Sequence, residues 1–248
     1  MTITIIGELC HDTFVYGEVV RLCPEAPVPV LTNIKTENNF GMAGNVKRNL
    51  LSFNSSLQIN LIHQKRSIKK TRYIDDKTNY MFLRVDEGEE NVDRIILTPE
   101  NIEEIVESDI VIVSDYNKGF LDEETTVKIG KMSKFSVIDT KKKVSSGILE
   151  SFDYIKLNEY EYLRNKEIAD KYNEKFIITL GMKGARHKNT VYESPSPKQT
   201  IDVSGAGDTF TAFFSLKYHE TKDIGQSISF ANEMASIVVS KRGVTTPF

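Results

Sequence analysis

Short runs of β-branched and aliphatic residues recur along this chain with helix-compatible segments between them, and that alternation restricts its fold more than any other feature. TITII at 2–6, IVIVS at 110–114, SVID at 136–139, DYIKL at 153–157 and KFIITL at 175–180 are short, nearly continuous runs, as strands covered on both faces must be. Helical segments lie at about 99–106, 121–131 and 159–165, and two more close the chain at about 207–219 and 223–240. The order predicts an α/β fold, a doubly wound and mostly parallel sheet with helices on both faces. Gly7 ends the first run and delivers residues 8–12 to the edge of the sheet, where ligands of such folds sit. Further strands are expected at 57–62, 71–74 and 80–85, and a helix over 45–53 after the turn GMAG. RLCPEAP separates two strand-like pieces, and its prolines forbid a helix there, so a small β flap is expected from about 13–20 and 27–35. With neither an internal repeat nor a low-complexity linker, residues 1–248 read as one domain.

Residues 202–209, DVSGAGDT, run straight into the apolar-rich TFTAFFSLKY. Gly205, Ala206 and Gly207 are small enough for a tight turn into a helix, whose first N–H groups then converge on one spot suited to an anion. Asp208 puts a carboxylate beside that anion. Such a carboxylate hinders simple binding but suits proton abstraction next to a phosphoryl group, and the arrangement predicts a kinase. Two alternatives bear on the same residues. Asp is favoured in any first turn by the helix dipole, whatever the protein does. A dinucleotide fingerprint needs a third glycine where Phe210 stands and an acidic residue about 20 positions on, where Asp223 is too near and Glu233 too far.

Composition removes several classes of function. Of 248 residues, 40% are apolar, enough for a sizeable core, and a net charge of −3 gives no footprint for nucleic acid or an anionic membrane. The basic clusters at 65–72 and 141–143 read as solvated faces unless a phosphate-bearing substrate reaches them. Two cysteines, Cys10 and Cys23, and four scattered histidines offer neither a zinc spacing nor a disulfide framework. MTITIIGEL is too short for a signal peptide, so a cytoplasmic protein is expected.

Two further constellations are ambiguous on spacing alone. Asn158 and Glu161 follow a strand and open a helix, which by spacing suits a capping box first and, after it, a pair facing phosphates and Mg²⁺. Thr179, Gly181 and Gly184 in TLGMKG form an ordinary turn or a place where the chain approaches a nucleotide.

The octapeptide at 202–209 resembles the signature of the ribokinase-like (PfkB) sugar kinases. That resemblance implies ATP and Mg²⁺, with Asp208 as catalytic base and Gly205, Ala206 and Gly207 as anion hole. It implies that Asn158 and Glu161 act on the metal through water, and that Thr179, Gly181, Gly184 and Asn232 bind the nucleotide, with the tail at 243–246 near the adenine or the site edge. GELCHDTFVYG at 7–17, RLCPEAPVPVL at 21–31 and GMAGNV at 41–46 resemble one branch, the heptose-7-phosphate kinases that make heptose 1,7-bisphosphate; LRVD at 83–86, SDYNKG at 114–119 and IDTKK at 138–142 extend the likeness over nearly the whole chain. The substrate site so implied contains Asp12, Gly41 and Asn45 against sugar hydroxyls, with Arg21, Arg84 and Lys118 as candidates for the substrate's phosphate.

The chain departs from that branch at Glu8, Met42 and Lys141, and its stretch from Leu51 to Lys70 is much shorter, so part of the sheet beside the sugar site is expected to be trimmed. Its end coincides with that of a kinase domain, so the nucleotidyltransferase domain fused in some relatives is expected to be absent. Phe14, Val15, Val28, Val30 and Leu31 exceed what a two-stranded flap can bury, which predicts a homodimer packed through its flaps. The expected activity is ATP-dependent phosphorylation of D-glycero-D-manno-heptose 7-phosphate at its anomeric hydroxyl. The alternatives are another sugar, sugar phosphate or nucleoside as acceptor, and a binding protein of this fold without turnover.

Overall fold

The computed structural model describes residues 1–90, 92–195 and 201–248. The chain opens with β1 (Thr2–Gly7), β2 (Leu9–Leu22) and β3 (Pro29–Met42), then helix α1 (Ala43–Phe53) and strands β4 (Gln58–Ile62), β5 (Ile68–Asp75) and β6 (Met81–Glu87). Next come α2 (Pro99–Glu107), β7 (Ile110–Asp115), α3 (Glu123–Met132), β8 (Ser136–Thr140), α4 (Ser146–Ser151), β9 (Tyr154–Asn158), α5 (Glu159–Arg164), α6 (Lys166–Lys171) and β10 (Phe176–Thr179). A hairpin of β11 (Ala185–His187) and β12 (Thr190–Tyr192) precedes two long helices, α7 (Ala206–Thr221) and α8 (Ile224–Val238).

Eight strands form the main sheet in the order β12-β11-β10-β9-β8-β7-β1-β4. Pairing is parallel from β10 to β4 and antiparallel in the terminal hairpin. Strand alternation divides the apolar runs between two layers. Ile3, Ile5, Ile110, Ile112 and Ile177 pack with Val46, Leu50, Phe213, Phe214 and Ile228 of α1, α7 and α8. Ile6, Val111, Val113, Ile138 and Leu157 face the other way, onto Ile105, Ile129, Ile148 and Ala169 of α2, α3, α4 and α6. The doubly wound arrangement is therefore as expected, and coverage of both faces explains why the runs are almost uninterrupted. Helices α4 and α6 were not anticipated, because six residues each are under two turns and show no usable period.

The flap is larger than 13–20 and 27–35. Four strands, β3-β2-β5-β6, make it a sheet in its own right, with β2 parallel to β5 and the other pairs antiparallel. Strands β2 and β3 each run 14 residues, through polar stretches that only cross-strand pairing holds extended. Phe14 and Tyr16 bury themselves against Ile74 and Val244. Two of the residues behind the two-stranded estimate, Phe14 and Val15, are thus covered within one chain, while Val28 remains exposed.

Between α1 and β5 the chain has a single strand, β4, as the sheet edge beside β1. Beyond it the buried Gln64 uses its amide as a strand would, accepting from the Leu9 N–H at 2.9 Å and donating to the Leu9 carbonyl at 2.6 Å. Among the described residues no helix is long and apolar enough to cross a membrane.

Candidate active site

The parallel strands end under the flap, and the N-terminus of α7 meets them there. Gly205 caps that helix with φ of 82°, a left-handed conformation that a Cβ would strain, and a Cβ there would also lie 2.7 Å from Nδ2 of Asn45. The N–H groups of Gly207 and Asp208 belong to the first turn and have no partner in the helix ladder. The Ala206 N–H turns back to the Val203 carbonyl at 3.3 Å, so it contributes less to an anion hole than its neighbours.

Asp208 is 3% exposed. Its Oδ1 accepts from the Tyr116 hydroxyl at 2.6 Å and its Oδ2 from the Asn45 amide at 3.1 Å. Burial pushes the carboxyl up to about 6, and the Asp139 charge acts the same way; the Tyr116 and Asn45 hydrogen bonds and the Lys156 ammonium oppose the rise. Asn45 is in turn fixed by Asn49, which donates to its Oδ1 at 3.2 Å, and Asn49 accepts from Thr209 at 3.0 Å. The Asn45 amide thus faces the Asp208 carboxylate and the Gly205 carbonyl.

Asp208 stands at the seam of two cavities. One, of about 210 Å³, is a polar cup under the flap lined by Cys10, Asp12, Gly41, Lys70, Arg72, Arg84 and Asp208 among others. Asp12 is buried there with its Oδ1 held by Arg72 at 2.5 Å, and Arg72 lies 4.9 Å over the Phe14 ring. Gly41 passes so close that any Cβ would run into Oδ2 of Asp12. Of the three cations expected at a substrate phosphate, only Arg84 lines this cup. Its guanidinium pairs with Asp86 at 2.9 Å. Lys118 is drawn onto Glu89, which also binds Lys70 at 2.8 Å, and Arg21 lies exposed at the far end of the β2–β3 hairpin opposite Val30. Lys70 and Arg72 line the cup beside Arg84. Within the basic cluster at 65–72 the solvated-face expectation fits Lys65, Arg66 and Lys69, whereas Lys70 and Arg72 fall on the inward side of β5 with Ile68 and Ile74.

The second cavity, about 530 Å³, is lined by Tyr116, Asp139, Lys141, Lys156, Asn158, Thr179, Gly181 and residues 205–208, among others. It adjoins a smaller, more apolar space of about 160 Å³ between Thr179, Gly181, Met182, Gly184, Val203, Phe210 and Asn232. Asn232 is tied by its amide to the Tyr192 carbonyl at 2.8 Å. Gly184, with φ of 92°, is needed where the chain passes the β12 backbone, while the space around Gly181 is open. The tail runs to the cup under the flap, where Val244 lines it.

Asn158 and Glu161 form the capping box in full. The Asn158 N–H donates to Glu161 at 2.7 Å and the Glu161 N–H to Asn158 at 2.8 Å. Lys141 adds a bond to the same Glu161 carboxylate at 2.6 Å. Asp139, paired with Lys156 at 2.9 Å and lining the same cavity, keeps its Oδ1 buried without a hydrogen-bond partner. Acidic oxygens near the N-terminus of α7 fit a hydrated divalent cation. Among the described residues, no group of three or more His, Cys, Asp or Glu is placed to hold a metal directly.

The sequence profile of the pfkB family carbohydrate kinases matches residues 41–248. The chain belongs to that family. It is 33% identical over 292 residues to the bifunctional protein HldE of Helicobacter pylori strain J99, covering 97% of this chain and 63% of that relative. To the bifunctional protein HldE of Desulfatibacillum aliphaticivorans it is 29% identical over 309 residues, with 98% and 60% covered. The kinase chain therefore spans less than two thirds of the length of these relatives. In fold it is similar to the ribokinase of Thermotoga maritima, with TM-score 0.74 and 18% identity over 100% of this chain and 97% of that one. The Arabidopsis thaliana ribokinase complexed with ribose and ATP gives 0.73 and 15%, over 98% and 93%.

Residues of this site missed in the sequence include Lys70, Arg72, Tyr116, Glu8 and Asp139. Lys70 and Arg72 could have been found from the period-two alternation of β5. Tyr116 and Glu8 carried no local signal. The Glu8 carboxylate is fully buried and accepts from the N–H groups of Tyr116 and Lys118 at 2.8 and 2.9 Å, so the residue that departs from the branch pattern builds the turn that delivers Tyr116. Burial, helped by the Asp115 charge, holds the Glu8 carboxyl above its ordinary range.

Proposed function

We propose that this kinase transfers the γ-phosphoryl group of ATP to the anomeric hydroxyl of D-glycero-D-manno-heptose 7-phosphate. The observation that carries this reading is the place of Asp208, a buried carboxylate at the seam between a larger cavity lined by the first turn of α7 and a cup containing Asp12, Lys70, Arg72 and Arg84. Three cations in one small cup suit an acceptor that already bears a phosphate, and Asp12 suits its hydroxyls. The relatives called bifunctional protein HldE and the resemblance of residues 7–46 to heptose-7-phosphate kinases support the choice of sugar.

In this mechanism Asp208 accepts the proton of the attacking hydroxyl. The N–H groups of Gly207 and Asp208 face the charge that builds on the transferred phosphoryl, where most of the catalysis of such reactions resides. Thr179, Gly181, Gly184 and Asn232 bound the space for the nucleotide. Magnesium on the ATP phosphates would neutralise charge there, held through water by Asn158, Glu161 and the free oxygen of Asp139.

The test is Mg²⁺-dependent ADP release with D-glycero-D-manno-heptose 7-phosphate, sedoheptulose 7-phosphate, fructose 6-phosphate, ribose and adenosine. Selective turnover of the heptose phosphate is expected. Preference for another acceptor would replace the substrate, and ATP binding without turnover of any would replace the enzyme by a binding protein.

The same reading includes a cytoplasmic homodimer joined through the flaps. Val20, Leu22, Val28, Ile34, Leu83 and Val85 of the flap sheet stay exposed in the single chain, with Val20 at 69% and Ile34 at 60%. Light scattering at micromolar concentration is expected to give twice the 28.2 kDa chain mass, and Ile34→Lys to halve it. A wild-type monomer would exclude this assembly.

A further inference from the structure

Tyr116 lines both cavities and lies against the carboxylate that stands between them. We propose that Tyr116 is a positioning residue that keeps the Asp208 carboxylate ionised and aimed across the seam for proton transfer. The inference rests on Asp208 being the base.

Three observations support it. The 2.6 Å bond from the phenol to Oδ1, with the Asn45 amide on Oδ2, fixes the carboxylate plane from two sides. Each oxygen keeps a further lone pair, so the base can still receive a proton. Second, the ring itself is held from several directions. Glu8 binds its backbone N–H, and Lys141, anchored on Glu161, lies 5.1 Å over its face. Third, burial and the neighbouring Asp208 charge raise the phenol well above its usual range, so it remains a donor at any working pH.

Other groups also act on Asp208. Asp139 of β8 and Lys156 of β9 oppose one another as an ion pair, Lys141 follows β8, and on the flap side stand Cys10, whose thiol burial keeps protonated, and Asp12, neutralised by Arg72. Among these neighbours Tyr116 and Asn45 are the two that hydrogen-bond the carboxylate, and Tyr116 makes the shorter bond. Removing a donor from a buried anion favours the protonated acid, which is the inactive form of a base.

The experiment is a ¹³C NMR titration of the aspartate carboxyls, with Asp208→Asn assigning the resonance, run beside pH profiles of kcat/KM. In wild type Asp208 is expected to titrate at about 6. Tyr116→Phe should move that titration and the acid limb of kcat/KM upward together by about one pH unit, with the deficit shrinking toward pH 9. Site-specific 3-fluorotyrosine, a stronger donor, should move both downward by less. A purely structural role would lower activity at all pH values and displace both variants alike, and an unmoved Asp208 titration in Tyr116→Phe would overturn the proposal while leaving the base assignment to Asp208→Asn. Conversely, full turnover by Asp208→Asn would sink the base assignment whatever the titration shows. Unchanged resonances of the remaining aspartates verify the fold of each variant.

Discussion

Replacing Asp208 by Asn is expected to lower turnover by roughly 10²- to 10⁴-fold, the size of a general-base contribution, while leaving the protein folded and more stable at neutral pH. The two effects share one cause. Folding buries this carboxyl and lifts it from 3.8 to about 6, so the native state takes up a proton that the unfolded chain releases in that interval. Stability tied to Asp208 is greatest below pH 4, falls as pH rises through about 6, and stays reduced above it, by about 3 kcal/mol if the whole shift counts. An amide has no charge to desolvate. It can accept from Tyr116 but presents an N–H group where Asn45 also donates, so the net gain at pH 7 should be about 1–2 kcal/mol. Urea unfolding of both proteins across pH 4–8, with single-turnover kinetics, measures both quantities. Near-wild-type turnover in Asp208→Asn would exclude the base role. A loss of stability at neutral pH would show that the amide contacts outweigh burial of the charge.

Gly41→Ala is expected to strike the acceptor side alone. Its new methyl group would run into the Asp12 carboxylate and lie 2.7 Å from the Cys10 thiol. Asp12 has little room to retreat, since it is 3% exposed and held by Arg72 at 2.5 Å. Overpacking of this kind costs about 1–3 kcal/mol, and displacing a charged hydrogen-bonding group from an acceptor hydroxyl costs a comparable amount. KM for the acceptor should therefore rise about 10- to 100-fold with KM for ATP unchanged. An effect confined to KM for ATP would show that the cup under the flap is not the acceptor site.

The readable part of this protein was the part written in consecutive residues. Continuous apolar runs indicate strands covered on both faces, and the two packed layers confirm them at Ile3 and Ile5 on one side and Ile6 on the other. GAGD states a helix start, free N–H groups and an acid in the first turn within four positions, and all of these form locally in α7. Asn158 and Glu161, three residues apart, likewise make their capping box from neighbouring backbone alone.

What the sequence left open depends on contacts between distant segments. Tyr116 meets Asp208 across 92 positions and Arg72 meets Asp12 across 60, and neither pair shares a local pattern. The solvated basic cluster and the cationic cup were indistinguishable until β5 paired with β2 and its alternation was given an inside. Lys118 lost its expected place because Glu89, brought beside it by the flap, is the nearer counter-charge. By itself the sequence determined the layered α/β architecture, the glycine-led helix start and the carboxylate in its first turn, since short-range backbone geometry and burial period suffice for those. Only the tertiary structure decided which donors hold that carboxylate and which cations line the cup under the flap, because charge and hydrogen-bond partnerships are set by proximity in space, and that follows from strand pairing.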